Sequence, residues 1–373
     1  MKKSTSVMMI SALLIICLFP VWGRLLPGSA SVVTGENRSL SPFPGTETPL
    51  SRWPSAFEDW FGDRLAFRRE AISAAARFQY RSTLQAVEGK DGWLFFLGDG
   101  SKDDLLRRTV LGTAEKESIR EAQQMAKDRI AEAGAAYMVL ICPDKQTVYP
   151  EYLPDVFRLA QGESRLDQIT PVLKDIPGLV FVDPRESMIR EKEDKPLYYL
   201  TDTHWNDLGA WTACRAVYAA LSETLPSFRA PSEKRLRISD AQPAEQGDLA
   251  RMLNRQNMKD LRVSVTLRGL RADGETIPNP DDPLRCTTVY ENPDHPGYPR
   301  AVVFHDSFAE ALRPFLAPSF SRIVFVWSDH PLMDIVREEK PDIVIQEYVE
   351  RLCPTGLPKP PSEPVPAGPA ADN

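Results

Sequence analysis

Residues 301–308 (AVVFHDSF) form an apolar run that ends on a serine, immediately before a stretch predicted to be helical. In an α/β fold, the point where a strand gives way to a helix presents unpaired backbone N–H groups and often carries a nucleophile. Ser307 is therefore a candidate nucleophile, although serine is also common at helix N-termini. Which role applies depends on the side chains that the rest of the chain brings to it.

A second polar stretch, residues 200–206 (LTDTHWN), places a carboxylate and an imidazole two residues apart at the entrance of a predicted helix. A serine hydroxyl is a weak nucleophile and needs a base to take its proton. With Ser307 as nucleophile, His204 as base and Asp202 orienting the imidazole, the chain contains the parts of a catalytic triad. Triads are recognised by roles and geometry, not by their order along the chain.

The choice of base is narrow, because the chain has four histidines: His204, His295, His305 and His330. His305 lies two residues from Ser307 on an extended segment, so its ring points the same way but is badly placed to bond the hydroxyl. His330 precedes Pro331, which favours a turn. His204 is the favoured base because the following tryptophan and helix would hold it beside its carboxylate.

Short apolar runs alternate with helical patterns from residue 113 onward. The predicted strands are residues 137–142, 179–182, 301–304, 322–326 and 342–345. The predicted helices are residues 113–133, 166–174, 208–221 and 332–339. This alternation is typical of a parallel sheet buried on both faces. We therefore expect an α/β fold with a flavodoxin-like parallel sheet flanked by helices.

Composition divides the chain into segments. Residues 52–352 would form one catalytic domain, interrupted before the nucleophile strand by a Pro-, Asp- and Arg-rich insertion at residues 223–300. The insertion has one clear strand candidate, at residues 262–267. Residues 31–51 are polar and proline-containing, as in a surface linker. Residues 353–373 contain seven prolines and little to bury, which predicts a flexible tail.

The N-terminus has the pattern of a targeting segment. Lys2 and Lys3 precede an apolar run at residues 7–21, which predicts that the rest of the chain is exported. Residues 28–30 (GSA) offer a cleavage site. Residues 1–30 are therefore either a signal-anchor, which we favour, or a cleaved signal peptide. In a bacterial cell, either would place the body in the periplasm, and a signal-anchor would hold it at the inner membrane.

The net charge of −7 argues against a nucleic-acid-binding protein, and a polyanionic partner would need a local basic patch. One cluster in the insertion meets this description: Arg251, Arg255, Lys259 and Arg262. It would line a groove for a polyanionic polymer or form a solvated face. The cysteines show no C-x-x-C pair, so we expect neither a zinc site nor another metal site.

Residues 202–206 (DTHWN) together with 306–308 (DSF) resemble the AlgJ/AlgX family of alginate O-acetyltransferases, which have an SGNH-hydrolase-like catalytic domain. Further matching motifs are residues 57–64, 89–95, 143–145, 149–150, 247–249, 347 and 350–351. The resemblance covers residues 36–351, and the domain content is more similar to AlgJ than to AlgX. His305 departs from the pattern, because many SGNH relatives have glycine before the Asp-Ser pair.

This resemblance implies that Asp202, His204 and Ser307 form the triad. Ser307 would carry an acetyl ester, and His204 would deprotonate a sugar hydroxyl of the acceptor. The backbone N–H groups of Ser307 and Phe308 are the expected oxyanion donors, with the side chain of Asn206 as an additional candidate.

The predicted function is an exported O-acetyltransferase that acetylates hydroxyl groups of a bacterial exopolysaccharide, alginate or a similar polymer. Arg251 and Arg255 are the candidate acceptor-binding residues. No ATP, CoA or other cofactor is expected, and the resemblance implies a membrane-bound O-acyltransferase as acetyl donor within a polysaccharide synthesis and secretion complex. Two alternatives remain open: an acetyl esterase with the same triad, and a non-catalytic scaffold or polysaccharide-binding component.

Overall fold

The computed structural model describes residues 43–46, 48–49, 52–62, 85–158, 160, 162–255, 257–270, 273–278 and 286–353. The strands are β1 (Ala86–Glu88), β2 (Leu94–Phe96), β3 (Ala136–Cys142), β4 (Val180–Val182), β5 (Leu236–Ile238), β6 (Gln242–Ala244), β7 (Asp260–Arg262), β8 (Val265–Leu267), β9 (Asp273–Ile277), β10 (Thr287–Glu291), β11 (Arg300–His305), β12 (Arg322–Trp327) and β13 (Ile343–Val349). The α-helices are α1 (Trp53–Gly62), α2 (Ser101–Leu105), α3 (Thr113–Glu132), α4 (Lys145–Val148), α5 (Asp155–Arg158), α6 (Arg165–Lys174), α7 (Arg185–Glu191), α8 (Asp207–Thr224), α9 (Asp248–Met252), α10 (Arg313–Leu316) and α11 (Met333–Glu339).

Seven strands form one mixed sheet in the order β4-β3-β13-β11-β12-β10-β9. The five strands from β4 to β12 are parallel, which confirms the predicted α/β fold with a parallel sheet. Beyond β12, β10 and β9 continue the sheet in antiparallel register. Because the parallel strands share one direction, the segments that follow β3, β11 and β13 meet at the same edge of the sheet.

The prediction of one strand in residues 223–300 was wrong. The described part of this stretch contains six strands, β5 to β10, and two of them complete the central sheet. The strand predicted at residues 262–267 is divided between β7 and β8. The outermost strand, β9, has the sequence DGETI, and its residues 274–277 are exposed. An edge strand of this composition lacks the apolar alternation that identifies a strand in sequence.

The parallel strands are covered on both faces. On one face, Met138, Val303 and Ile345 pack into the core that contains the apolar side of α8. On the other face, Val139 and Val302 pack with α3, α6 and α11. Successive residues of one strand therefore enter different cores, which explains why these strands read as unbroken apolar runs.

Among the described residues, no helix combines the length and the apolar character that crossing a membrane requires. The predicted signal-anchor or signal peptide at residues 1–30 lies outside the described residues. So do most of the predicted linker and residues 354–373 of the predicted tail.

Candidate active site

The three side chains predicted to form a triad meet at the carboxyl edge of the parallel sheet. Ser307 follows β11 and opens a short 3-10 helix, whereas Asp202 and His204 lie in residues 198–205, here called the base segment. His204 Nδ1 lies 2.7 Å from Asp202 Oδ1, and His204 Nε2 lies 2.8 Å from Ser307 Oγ. Both are hydrogen-bond distances, so one imidazole links the carboxylate to the hydroxyl.

The ionisation of Asp202 and that of His204 depend on each other. Burial alone would raise the pKa of Asp202, but the hydrogen bond and charge of His204 outweigh burial and hold this pKa well below its usual range. Burial alone would lower the pKa of His204, but Asp202, with help from Asp248, raises it above its ordinary value of 6.5. The pair keeps the carboxylate ionised and strengthens the imidazole as a proton acceptor.

The Gly247-Asp248 turn packs directly against Asp202. Asp248 accepts hydrogen bonds from the N–H (2.8 Å) and hydroxyl (2.6 Å) of Thr203, and its own N–H donates to Asp202 Oδ2 (3.1 Å). The N–H of Gly247 donates to Thr201 Oγ1 (2.8 Å). A Cβ atom at Gly247 would lie 2.4 Å from Asp202 Cβ, so this close approach requires glycine.

Two further charged side chains, to which the sequence analysis gave no role, hold the backbone of the base segment. Asp260 accepts hydrogen bonds from the N–H groups of Leu200 (2.8 Å) and Thr201 (2.7 Å). The Lys145 ammonium group donates to three carbonyl oxygens of the same segment. Lys145 stood in a family motif at residues 143–145, which was a usable signal, whereas Asp260 stood in none.

Residues 305–308, here called the nucleophile turn, are held mainly by carboxyl groups. Asp306 Oδ1 accepts the N–H of Phe308 (2.9 Å), and its Oδ2 accepts the N–H of Val349 (2.7 Å). The N–H of Asp306 donates to Glu347 Oε2 (3.0 Å). Burial, together with the charge of Asp306, raises the pKa of Glu347 well above its usual range. The neutral form of Glu347 is therefore favoured beside Asp306.

Two of the predicted oxyanion donors are already bonded within the fold. The N–H of Phe308 is used by Asp306. Asn206 is 2% exposed; its carboxamide oxygen accepts the first N–H groups of α8, and its nitrogen donates to Pro196 O (2.7 Å). These contacts make Asn206 the N-terminal cap of α8, and its role as an oxyanion donor stays a prediction. The N–H of Ser307 remains the candidate oxyanion donor.

The two neighbouring histidines have other contacts. His305 Nδ1 lies 2.6 Å from Asp306 O, and burial, with the charge of Arg313, lowers the pKa of His305 to about 4. His330 bonds the carboxylate of Asp329 within a turn. In the part of the chain that the structure describes, the imidazole bonded to the nucleophile candidate is that of His204.

The basic residues predicted to bind an acceptor polymer have different surroundings. Arg255 forms an ion pair with Glu88 of β1, so its charge is already compensated. Arg251 lies on α9, next to the turn that packs on Asp202, and donates to a backbone carbonyl oxygen (2.8 Å). Arg251, Lys259 and Arg262 are exposed.

Asp202, His204 and Asp248 also place donor atoms within 4.8 Å of one another, which is a spacing compatible with a metal ion. His204 is hydrogen-bonded to Asp202 and to Ser307, and Asp248 accepts the hydroxyl of Thr203. Such contacts suit an imidazole that exchanges a proton with a hydroxyl and is oriented by a carboxylate better than a set of open metal ligands.

A parallel sheet flanked by helices, with a strand-end serine facing an Asp-x-His pair, defines an SGNH hydrolase-like protein. Residues 86–281, more than half of the chain, match the family model "SGNH hydrolase-like domain, acetyltransferase AlgX". The chain belongs to this family, which confirms the resemblance to AlgJ and AlgX seen in the motifs.

Individual relatives agree with this assignment. "Probable alginate O-acetylase AlgJ" of Pseudomonas aeruginosa is 24% identical over 292 residues, which cover 75% of this chain and 68% of that protein. The protein of the same name from Pseudomonas syringae pv. tomato is 24% identical over 235 residues, 61% of this chain and 57% of its own length. The structure of Bacillus cereus PatB1 with a sulfonyl adduct has the same fold, with a TM-score of 0.55 at 15% identity, and covers 71% of this chain and 94% of PatB1.

Proposed function

We propose that this protein is an O-acetyltransferase that moves acetyl groups onto hydroxyl groups of a bacterial exopolysaccharide, alginate or a similar polymer, through an acetyl ester on Ser307. The observation that carries the proposal is the continuous contact from Asp202 through His204 to the Ser307 hydroxyl. Membership of a family described as acetyltransferases, and relatives named as probable alginate O-acetylases, support the choice of reaction and substrate.

In the first half of the reaction, Ser307 Oγ attacks the acetyl carbonyl carbon of the donor while His204 Nε2 takes the hydroxyl proton. Asp202 stabilises the resulting imidazolium, and the N–H of Ser307 binds the developing oxyanion. The bond from the acetyl carbon to the donor then breaks, and the donor oxygen leaves with the proton from His204. The product is an acetyl-serine with a neutral imidazole beside it.

In the second half, a sugar hydroxyl takes the position that the donor has left. His204 removes its proton, the sugar oxygen attacks the acetyl carbon, and the ester bond to Ser307 breaks as the proton returns to Ser307 Oγ. Water would follow the same steps. Transfer therefore requires that an acceptor is held against the ester, a proximity effect that lowers a barrier by about 7–11 kcal/mol.

We place the acceptor beside α9, where the exposed Arg251 lies next to the base segment. Lys259 and Arg262 would extend a basic surface suited to a uronate chain. Arg255 contributes less in this proposal because Glu88 already compensates its charge.

The proposal includes the cellular setting predicted from the sequence. Residues 1–30 would anchor or export the protein, residues 31–51 would link that segment to the catalytic domain at 52–352, and residues 353–373 would form a tail. In the periplasm, the acetyl group would come from a membrane-bound O-acyltransferase within a polysaccharide synthesis and secretion complex, with no need for ATP or CoA at this site.

The test gives the protein an acetyl-ester donor with and without mannuronate oligomers and follows the products by mass spectrometry. Acetylated oligomer, formed by the wild type and absent with Ser307→Ala, is the expected result. Free acetate alone, at a rate unaffected by the oligomer, would identify an esterase. Turnover no greater than that of Ser307→Ala would identify a non-catalytic component.

A further inference from the structure

Lys145 has no role in the reaction described above, although it contacts the backbone of the base segment. It follows β3 at the start of α4 and is 1% exposed. Its Nζ donates hydrogen bonds to the carbonyl oxygens of Tyr199 (3.0 Å), Leu200 (3.2 Å) and Asp202 (2.6 Å). These acceptors lie in the base segment, and the last belongs to the residue whose carboxylate binds His204.

The three carbonyl oxygens around Lys145 match the three N–H donors of a charged lysine side chain. A lysine ammonium has three N–H donors and no acceptor, so all three donors are used by three carbonyl groups. The rings of Trp93 and Phe95 lie 5.7 Å and 5.6 Å from the Nζ and add favourable contacts with its charge. A neutral amine would have only two donors for these three carbonyl groups, of which that of Leu200 also accepts the N–H of Leu94 (3.1 Å).

The acidic groups around this ammonium group belong to the base segment and to the residues that bind its N–H groups. Asp202, Asp248 and Asp260 are the acidic groups that face Lys145 and favour its charged form, while burial opposes them and lowers its pKa to about 7. Asp248 and Asp260 bind N–H groups of the base segment, whereas Lys145 binds its carbonyl groups. The segment is therefore fixed through both kinds of backbone group.

We propose that Lys145 is a positioning residue, which sets the location of the Asp202–His204 pair relative to Ser307 by holding three carbonyl groups of the base segment. This inference rests on the proposed function, because it assigns Lys145 to the same reaction. Ser307 follows β11, with which the base segment forms no strand pairing, so a shift of the base segment changes the distance from His204 Nε2 to Ser307 Oγ. A misplacement of about 1 Å costs about 10²-fold in rate.

The test compares Lys145→Met with Lys192→Met. Lys192 is a suitable control because its Nζ also donates to a carbonyl oxygen, that of Val148 (2.7 Å), and lies 5.2 Å from the ring of Tyr149, yet it holds no part of the base segment. Turnover of an acetyl-ester reporter and thermal stability are measured for both variants. Lys145→Met is expected to lower kcat by about 10²-fold with KM unchanged, whereas Lys192→Met stays within a few-fold of wild-type kcat.

Equal losses of kcat in the two variants, after correction for the folded fraction, would overturn the proposal. Should Lys145→Met not fold, Lys145→Gln serves instead, because its amide has two N–H groups where three are needed. An intermediate loss of kcat is expected for Lys145→Gln, and wild-type kcat in this variant would contradict the assignment.

Hydrogen exchange separates a failure of this inference from a failure of the proposed function. The amides of Leu200, Thr201 and Thr203 should exchange at least about 10-fold faster in Lys145→Met than in wild type, and not in Lys192→Met. This readout needs no activity, so it decides the role of Lys145 even if the wild type does not turn over the reporter. Unchanged exchange at these amides would show that Lys145 does not hold the segment.

Discussion

The base segment and the nucleophile turn deliver the two halves of one site by different means. The nucleophile turn continues β11, whose position is set by parallel pairing with β12 and β13. The base segment belongs to no sheet with these strands. The backbone N–H groups of Leu94 and Ala250 bind two of its carbonyl groups, and side chains that are distant in sequence complete its support. Lys145 binds its carbonyl groups, and Asp248 and Asp260 bind its N–H groups.

The positions of the two halves of the site therefore depend on different kinds of contact. Strand pairing fixes β11, which leads into the nucleophile turn, through many backbone bonds of a central sheet, so single substitutions in the neighbouring strands should move Ser307 little. The Asp202–His204 pair depends on a few buried polar contacts, each of which costs free energy when one partner is removed. The base segment should therefore be the more sensitive half to substitutions outside the triad.

The largest effect is expected from removing the base itself. His204→Ala should lower kcat by about 10⁴–10⁶-fold, and adding Ser307→Ala should lower it little further, because triad members act as one unit. Steady-state turnover of an acetyl-ester reporter measures this effect.

The matched control for that experiment is His305→Gln, which changes the other imidazole beside the nucleophile. His305 is 1% exposed and has its own partners, so this variant should lose stability but keep most of its turnover per folded molecule. A loss of kcat as large as that of His204→Ala in a folded protein would mean that the wrong histidine has been assigned as base.

A methyl group at Gly247 tests how closely the base segment is supported. Gly247→Ala places a Cβ atom 2.4 Å from Asp202 Cβ and 2.6 Å from Asp202 N, so one of the two backbones must move. We expect kcat to fall by about 10²-fold, as for other small displacements of catalytic groups. Gly297→Ala is the control, because its Cβ would meet no atom within 4 Å. Equal kcat in the two variants would show that the segment tolerates displacement.

The charge of Asp202 should be visible in the titration of His204. Because the carboxylate favours the imidazolium, the pKa of His204 lies above 6.5, and Asp202→Asn should move it downward. A smaller fraction of the His204 ring is then protonated near neutral pH. The substitution also removes the carboxylate that orients this ring. NMR titration of the His204 ring measures the shift, with the ring of His330 as internal reference. An unchanged or higher midpoint in Asp202→Asn would refute the coupling.

The smallest effect concerns how the free energy of unfolding changes with pH through Glu350, which binds the backbone next to Lys145. Glu350 accepts the N–H of Asp144 (2.9 Å), the residue before Lys145, and burial, with the charge of Asp144, raises the pKa of Glu350 to about 8. Its stabilising contribution is complete below the unfolded value of 4.5 and is lost as pH rises through about 8. Glu350→Gln cannot ionise, so its free energy of unfolding relative to wild type should increase from pH 5 to pH 8. Urea unfolding at both pH values checks this, and a difference that does not grow with pH would rule it out.

Sequence patterns predicted the strands that are buried on both faces of the sheet. The five parallel strands are apolar on both faces, and Ser307 follows one of them directly, so both were visible as local patterns. The polar edge strand β9 gave no such signal because its exposed side chains carry no alternation. The antiparallel extension of the sheet was missed for that reason.

The candidate site was predictable as a set of side chains but not as a set of contacts. Asp202 and His204 stand two residues apart, so their pairing is local, whereas the contact of His204 with Ser307 spans 103 residues. This contact was predicted from the chemistry of the candidate residues, from the choice among four histidines and from the family motifs. The hydrogen bonds from the Phe308 N–H to Asp306 and from the Asn206 carboxamide nitrogen to Pro196 O depend on three-dimensional neighbours. No local pattern shows which N–H groups remain available to an oxyanion.

We propose that Ser307 becomes acetylated with His204 as its base. This proposal is tested most directly by mixing the protein with an acetyl-ester donor in the absence of acceptor, quenching with acid, and mapping the modified peptide by mass spectrometry. We predict one acetyl group on Ser307 in the wild type, its absence in Ser307→Ala, and a strong reduction in His204→Ala. Turnover of the donor that persists in Ser307→Ala, with the acetyl group on another residue or on none, would contradict the account.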